Sequence, residues 1–280
     1  MPSCGWCRAR AAGRPALCHR GAAANGTDDL LHREAVPASA DGERIFNHLG
    51  VYAFLEIALV ARESVVVIND DVPFDVAAMF GCAALTGIGA LPNTAGLLPG
   101  QSIIVFGLGA VDLMAGMAAA KVAGTTVIAI DPLPEKQELV LLCGADVAGS
   151  PDQDAAAVAE HAGDGVDVTT EAVGSAPVVE ACLGMLARGG AVVSIGLPNP
   201  EQRLTVQALQ FAGIGVRLVG SYMGDSVPAR DLAACLQLWR NCRLPVELLH
   251  TDTRPIAERN EGVDALVDGR EVRRLFLIGE

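Results

Sequence analysis

The feature that most constrains this chain is the succession of strand, glycine turn, helix and strand between residues 103 and 131. Ile103-Ile104-Val105-Phe106 is a short apolar run rich in β-branched residues. Gly107-Leu108-Gly109-Ala110-Val111-Asp112 follows directly, and Met114, Met117, Ala118 and Val122 then recur along one helical face. Thr126–Ile130 is the next apolar run, closed by Asp131 and Pro132. Two strands joined through a helix pair in parallel by a crossover connection.

The rhythm continues to Gly220. Pro134–Cys143 reads as a helix with Pro in its first turn and Gly144 as its stop. Val166–Thr170 is a strand, Val178–Leu186 a helix, Gly189-Gly190 a break, and Ala191–Ile195 and Val216–Val219 further strands. The predicted fold class is therefore α/β, with a buried, doubly wound parallel sheet. Outside this region the pattern is weaker. Residues 1–50 are irregular, 51–82 mix short apolar runs with an Asn-Asp-Asp turn at 69–71, Asp231–Trp239 looks helical, and Arg273–Ile278 suits a closing strand.

The glycine turn carries the first chemistry. Gly107 permits a tight turn, and Gly109 lets backbone approach a pyrophosphate seated on the helix N-terminus. Asp131 ends the second strand, 24 residues after Gly107. A carboxylate there accepts bonds from both adenosine-ribose hydroxyls and repels a 2′-phosphate, which favours NAD over NADP. The bland alternative is a pair of ordinary turn glycines with Asp131 as a helix cap. The sixth place of the fingerprint calls for a small residue and holds Asp112. Turned to the ligand, its charge would oppose the phosphate by up to ~3 kcal/mol at ~5 Å and an effective dielectric near 20, roughly two orders of magnitude in affinity. Turned to solvent, it would lose only packing.

Cysteines mark a second set of candidates. Cys4-x2-Cys7 with Cys18 downstream has knuckle-like spacing for a structural zinc, which needs four ligands. Where a third evenly spaced ligand would fall stands Arg10, a permanent cation. His19 offers a substitute, and the alternative is a lobe of free thiols. Cys82, in Phe80-Gly81-Cys82-Ala83-Ala84-Leu85-Thr86-Gly87, reads in isolation as a small buried hydrophobe. His19, His32, His48, His161 and His250 show no zinc-binding spacing, and Cys143, Cys182, Cys235 and Cys242 read as packing residues.

Charge and hydropathy exclude some partners. A net charge of −13 opposes nucleic acid. The apolar stretch Val51–Ile68 contains Glu56, Arg62 and Glu63, so no charge-free span of about 20 residues is expected there. The first ten residues carry no apolar run of the secretory kind. No membrane contact and a reducing, cytoplasmic setting are the expectations.

Taken together, these segments resemble the zinc-containing alcohol dehydrogenases of the medium-chain dehydrogenase/reductase superfamily. Cys4, Cys7, Gly13 and Cys18 resemble its structural-zinc lobe. Gly81-Cys82 through Thr86-Gly87 resembles the segment that brings a catalytic-zinc ligand beside the nicotinamide. Gly107, Gly109, Ala110 and Val111 with Asp131 and Lys136 are similar to its cofactor fingerprint. Glu171-Ala172-Val173-Gly174 and Ile195-Gly196-Leu197-Pro198 resemble the strand ends that hold the nicotinamide half, and Arg273, with Arg274 as its neighbour, matches a basic residue that pairs with the pyrophosphate.

The resemblance implies a Rossmann-type domain inserted in a GroES-like, β-rich catalytic domain: residues 1–84 as an incomplete part of the latter, 85–221 as the NAD-binding domain, 222–280 as the return. It implies hydride transfer from an alcohol to NAD, giving an aldehyde or ketone, with zinc as the Lewis acid, Cys82 and Thr86 in the catalytic part, and a homodimer or homotetramer. The family's first catalytic Cys and its His-Glu pair precede the structural lobe, and this chain begins at that lobe, so an inactive NAD-binding remnant is the alternative reading. A zinc-free quinone-reductase relative, opposed by Asp131 and the cysteine lobe, and a methyltransferase, opposed by the ordered later segments, are the others. The absent strands would leave apolar surface exposed.

Overall fold

Strand β1 (Ser102–Phe106) shows why the sequence takes this architecture. Ile103, Ile104 and Val105 are fully buried, and successive side chains of a strand point to opposite faces. Ile103 and Val105 join one apolar cluster with Leu113, Met114 and Met117, while Ile104 and Phe106 join another with Val179, Cys182 and Leu183. A strand apolar on both faces belongs in the middle of a sheet covered by helices on each side. The computed structural model describes residues 2–27, 30–31, 39, 41–152 and 161–279; His32 lies outside them.

The other strands are β2 (Thr126–Ile130), β3 (Val147–Gly149), β4 (Val166–Glu171), β5 (Leu186–Ser194) and β6 (Arg217–Gly220). They form one parallel sheet in the order β3-β2-β1-β4-β5-β6, with Ile104 opposite Ile128 on one side and Thr169 on the other. The helices are α1 (Arg8–Ala11), α2 (His19–Gly26), α3 (Phe74–Ala95), α4 (Ala110–Ala119), α5 (Pro134–Leu142), α6 (Ala176–Gly184), α7 (Ala208–Gly213), α8 (Pro228–Arg240) and α9 (Arg259–Val267). A separate parallel pair, β7 (His250–Pro255) with β8 (Arg273–Leu277), stands near the C-terminus.

Two local expectations are corrected, and one strand is added. Gly189-Gly190 does not break the chain: β5 runs through it, and the register on β4 slips from Leu186–Val166 to Ala191–Val168. Gly189 has φ +81°, so an irregular residue that only glycine adopts without strain lets the strand continue. The short edge strand β3 was not legible, because Val-Ala-Gly carries no period. The apolar residues before Gly87 belong to one long helix, α3, widened by π-type turns at Phe80–Ala84 and Ala90–Ala95. Its 22 residues are apolar enough to span a bilayer, but 67% of its apolar window is buried inside the protein.

An ion pair ties the N-terminal lobe to the rest. Arg14 Nη2 donates to Oδ2 of buried Asp225 at 2.7 Å, and Thr94 Oγ1 donates to the same oxygen at 3.1 Å. Between the lobe and α3, the described residues form a 3-10 turn at Arg62–Ser64 and isolated bridges, among them His48–Val51 and Val51–Val60. Ile57, Val67 and Phe74 are 89%, 91% and 96% exposed.

α3 crosses α4 at Gly87, where an added Cβ would lie 2.1 Å from the Val111 carbonyl oxygen and 2.9 Å from the Ala115 nitrogen. Both are helical backbone, so neither can yield cheaply. Gly87→Ala is expected to destabilise the fold by about 2–3 kcal/mol, the upper part of the overpacking range. Urea unfolding should show a lower midpoint with an unchanged slope.

Candidate coenzyme site

The sheet order reverses between β1 and β4, so the connections leaving these strands go to opposite sides and open a crevice at their C-terminal ends. The glycine turn lies there. Gly107 has φ +80° and donates its N–H to the Ile130 carbonyl at 2.8 Å. Gly109 is the N-cap of α4 and has no side chain to cap it. Leu108 between them is fully buried and fixes the turn to the core.

Asp131 reaches this turn from the end of β2. Its Oδ2 accepts from Leu108 N–H at 2.7 Å and its Oδ1 from Leu133 N–H at 2.9 Å. The carboxylate thus braces the glycine turn and the start of α5 together, and each oxygen retains a lone pair for a ribose hydroxyl. The helix-brace reading of Asp131 is what the bonds show, and it leaves room for the ribose reading beside it.

Of the two orientations open to Asp112, the structure shows the inward one. The side chain is 4% exposed, and Oδ1 accepts from Ala172 N–H at 2.9 Å, so the carboxyl spans the crevice from α4 to the end of β4. Oδ2 lies 3.5 Å from where a Cβ on Gly107 would stand and 3.6 Å from one on Gly109. Burial pushes the Asp112 carboxyl well above the ordinary carboxylate range; Ala172 N–H opposes this and the Glu171 carboxylate adds to it. Glu171 is itself fully buried, accepting from Ser194 Oγ at 2.5 Å and from Gly174 N–H at 2.9 Å. Burial raises it too, against those two bonds. The sequence names Glu171 only as part of a strand end. Its strand, Val166–Glu171, also carries Asp167, Thr169 and Thr170, so no local signal set Glu171 apart as buried.

The remaining cofactor candidates fall into two groups. Ala110 and Val111 form the first turn of α4 beside the glycines. Val173 Cγ2 would be 2.6 Å from a Cβ on Gly107, so it leans over the turn. Gly174 and Gly196 allow the ends of β4 and β5 to touch: a Cβ on Gly196 would stand 2.2 Å from Gly174 N, and one on Gly174 would stand 2.9 Å from Leu197 O. Leu197 itself is largely exposed. Lys136 lines a cleft of about 430 Å³ with Leu133, Gly269 and Arg270, next to the strand that starts at Arg273. Arg274 is nearly buried and committed to Glu271, which leaves Arg273 as the candidate of the pair.

These residues fit a dinucleotide. The space before Gly109 is open apart from the Asp112 carboxylate, and Thr86, packed under Gly224, has a buried hydroxyl with no hydrogen-bond partner. They do not fit a catalytic zinc. Cys82 is exposed in the first π-type turn of α3, contrary to the buried reading, and belongs to no cluster of three or more metal-capable ligands among the described residues. Cys242 is likewise exposed rather than packed.

Cys4, Cys7 and Cys18 do come together, with sulfurs within 4.8 Å of one another; His19 is not in the group. Three corners of a tetrahedral site are present. Burial works to raise the Cys18 thiol, but N–H groups of Cys4 and Gly21, 3.3 and 3.4 Å from its sulfur, outweigh it and bring the thiol down to about 7. Arg10 contributes a backbone N–H to Cys7 rather than a ligand.

A carboxyl raised above its unfolded value supports the fold fully below that value, about 3.9 for Asp, and loses the contribution as pH climbs through its folded pKa. Asp112→Asn keeps an acceptor for Ala172 and removes the charge. The variant is expected to unfold at the same temperature as the parent in acid and at a higher one toward neutrality, by roughly 2–8 °C. Thermal denaturation followed by circular dichroism between about pH 3.5 and pH 8 checks this.

The comparisons with known proteins agree with this geometry. A family model described as zinc-binding dehydrogenase matches residues 110–239. The NDMA-dependent alcohol dehydrogenase of Amycolatopsis methanolica is 32% identical over 99% of this chain and 76% of its own length. An S-(hydroxymethyl)glutathione dehydrogenase of Synechocystis is 29% identical over 98% of this chain and 75% of its own. The crystal structure of an alcohol dehydrogenase zinc-binding domain protein from Burkholderia ambifaria superposes with a TM-score of 0.91 at 26% identity, over all of this chain and 76% of that one. The chain belongs to the zinc-binding alcohol dehydrogenase family of the medium-chain dehydrogenase/reductase superfamily.

Proposed function

We propose that this chain is the NAD-binding body of an oxidoreductase that works on the alcohol–aldehyde or alcohol–ketone couple. The observation that carries the proposal is Asp131, held by Leu108 N–H beside the glycine turn at the point where the strand order reverses. When bound, NAD supplies the hydride acceptor. The residues of this chain bind and orient it. Asp131 takes the adenosine-ribose hydroxyls and excludes a 2′-phosphate by charge. The N–H groups at the start of α4 face the pyrophosphate, and the joined ends of β4 and β5 with Thr86 border the nicotinamide half. An apolar cleft of about 320 Å³ lined by Val65, Phe80, Leu85, Leu232 and Leu236 suits the carbon skeleton of an alcohol. The names of the two curated relatives, an alcohol and a hydroxymethyl compound, point to the same substrate class.

A second reading, coenzyme binding without turnover, is favoured by the isolation of Cys82. The two separate in one set of measurements. NADH fluorescence titration is expected to show binding at least about tenfold tighter than NADPH, a preference that Asp131→Asn reduces. Oxidation of a panel of alcohols with added zinc, above the rate of a Cys82→Ala control, supports the oxidoreductase. Tight NADH binding with no such difference supports binding alone, and equal affinity for NADPH overturns the role of Asp131.

A further inference from the structure

We infer that Asp112 is a charge gate on the coenzyme site: a dinucleotide pyrophosphate enters the glycine turn against a neutral Asp112 side chain, so affinity for NAD(H) falls as pH rises. The inference rests on the reading of the crevice as a dinucleotide site. Its basis is placement. Gly107 and Gly109 are the residues whose missing side chains make room for the pyrophosphate, and Asp112 Oδ2 is the polar atom that borders the vacant Cβ position of both, with Val173 Cγ2 beside it at Gly107. The carboxyl is held there by Ala172 N–H from the far wall of the crevice, so it does not swing freely to solvent.

The described surroundings are acidic or neutral. From β4 the buried Glu171 carboxyl faces it, from α6 the buried Cys182 thiol lies within electrostatic reach, from the end of β2 Asp131 holds the same turn, and from its own helix come backbone N–H groups. Among the described residues no Lys, Arg or His is hydrogen-bonded or ion-paired with it. A charged Asp112 would therefore stand among acids with a dianionic pyrophosphate arriving beside it. Burial favours its protonated form, which turns repulsion into the offer of an O–H donor. By linkage, a ligand that prefers the neutral form takes up a proton as it binds.

The test is NADH binding by fluorescence titration between about pH 6 and pH 8.5, for the full chain, Asp112→Asn and Asp112→Gly. Asn retains the bond to Ala172 and Gly removes the side chain, so a packing effect would separate the two variants while a charge effect unites them. The parent is expected to weaken by roughly 10–100-fold across the range, with both variants near the parent's low-pH affinity throughout. Calorimetry in buffers of different ionisation enthalpy should show proton uptake by the parent and none by Asp112→Asn. Adenosine, which lacks phosphate, should bind all three alike. A parent profile that parallels that of Asp112→Asn overturns the gate and leaves the coenzyme site standing. Failure of all three proteins to bind NADH at any pH overturns the site itself, and the gate with it.

Discussion

The hydrogen bonding of β1 to β2 on one side and to β4 on the other is the constraint on which the rest of the molecule depends. A strand with buried residues on both faces cannot sit at an edge, and neighbours reached by parallel crossovers must be separated by helices. Because β2 and β4 are reached in opposite directions from β1, their connections part and leave a crevice. Gly107, Gly109, Asp112, Asp131, Glu171 and Ala172 all meet at that one place, though they come from three strands and one helix. The crevice follows from sheet order before any residue in it is chosen for chemistry.

Three buried carboxyls share this crevice; beside Asp131, which braces the glycine turn, Glu171 and Asp112 are each satisfied differently. Glu171 accepts a hydroxyl and a backbone N–H, so it ties β4 to β5 and to its own turn. Asp112 accepts one backbone N–H across the gap and leaves its other oxygen at the glycines. Such groups stay buried by remaining neutral or by gaining donors. A phosphate-binding turn ordinarily keeps its helix terminus clear for an anion, and here an acid occupies the first helical turn. The local rule is broken at the site and nowhere else along α4, whose other buried residues are apolar or glycine.

The two halves of the zinc expectation part company in the structure. The lobe assembles the sulfur of Cys4 with those of two helix N-caps, Cys7 before α1 and Cys18 before α2, and Cys18 also accepts N–H bonds that stabilise its thiolate. Cys82 has no comparable company among the described residues. Its environment is set by the π-type turn that lifts residues 80–84 out of regular helical phase and exposes it. Family membership and a complete metal centre are separate facts.

The sequence by itself determined the alternation of β1, α4, β2, α5, β4 and β6, because apolar periodicity, helix-opening prolines and stop glycines are local signals. It also determined the glycine turn and Asp131, whose spacing is fixed by the length of one strand–helix–strand unit. Local signals could not reveal that Gly189 carries β5 through an irregular residue, that Val147–Gly149 pairs with β2, or that residues 74–95 form one helix. Those depend on partners far away in the chain. Above all, the direction of the Asp112 side chain was decided by tertiary structure. Its first-turn position is the same whether it faces water or the crevice, and the inward state is selected by an Ala172 N–H that the sheet order brings within 2.9 Å.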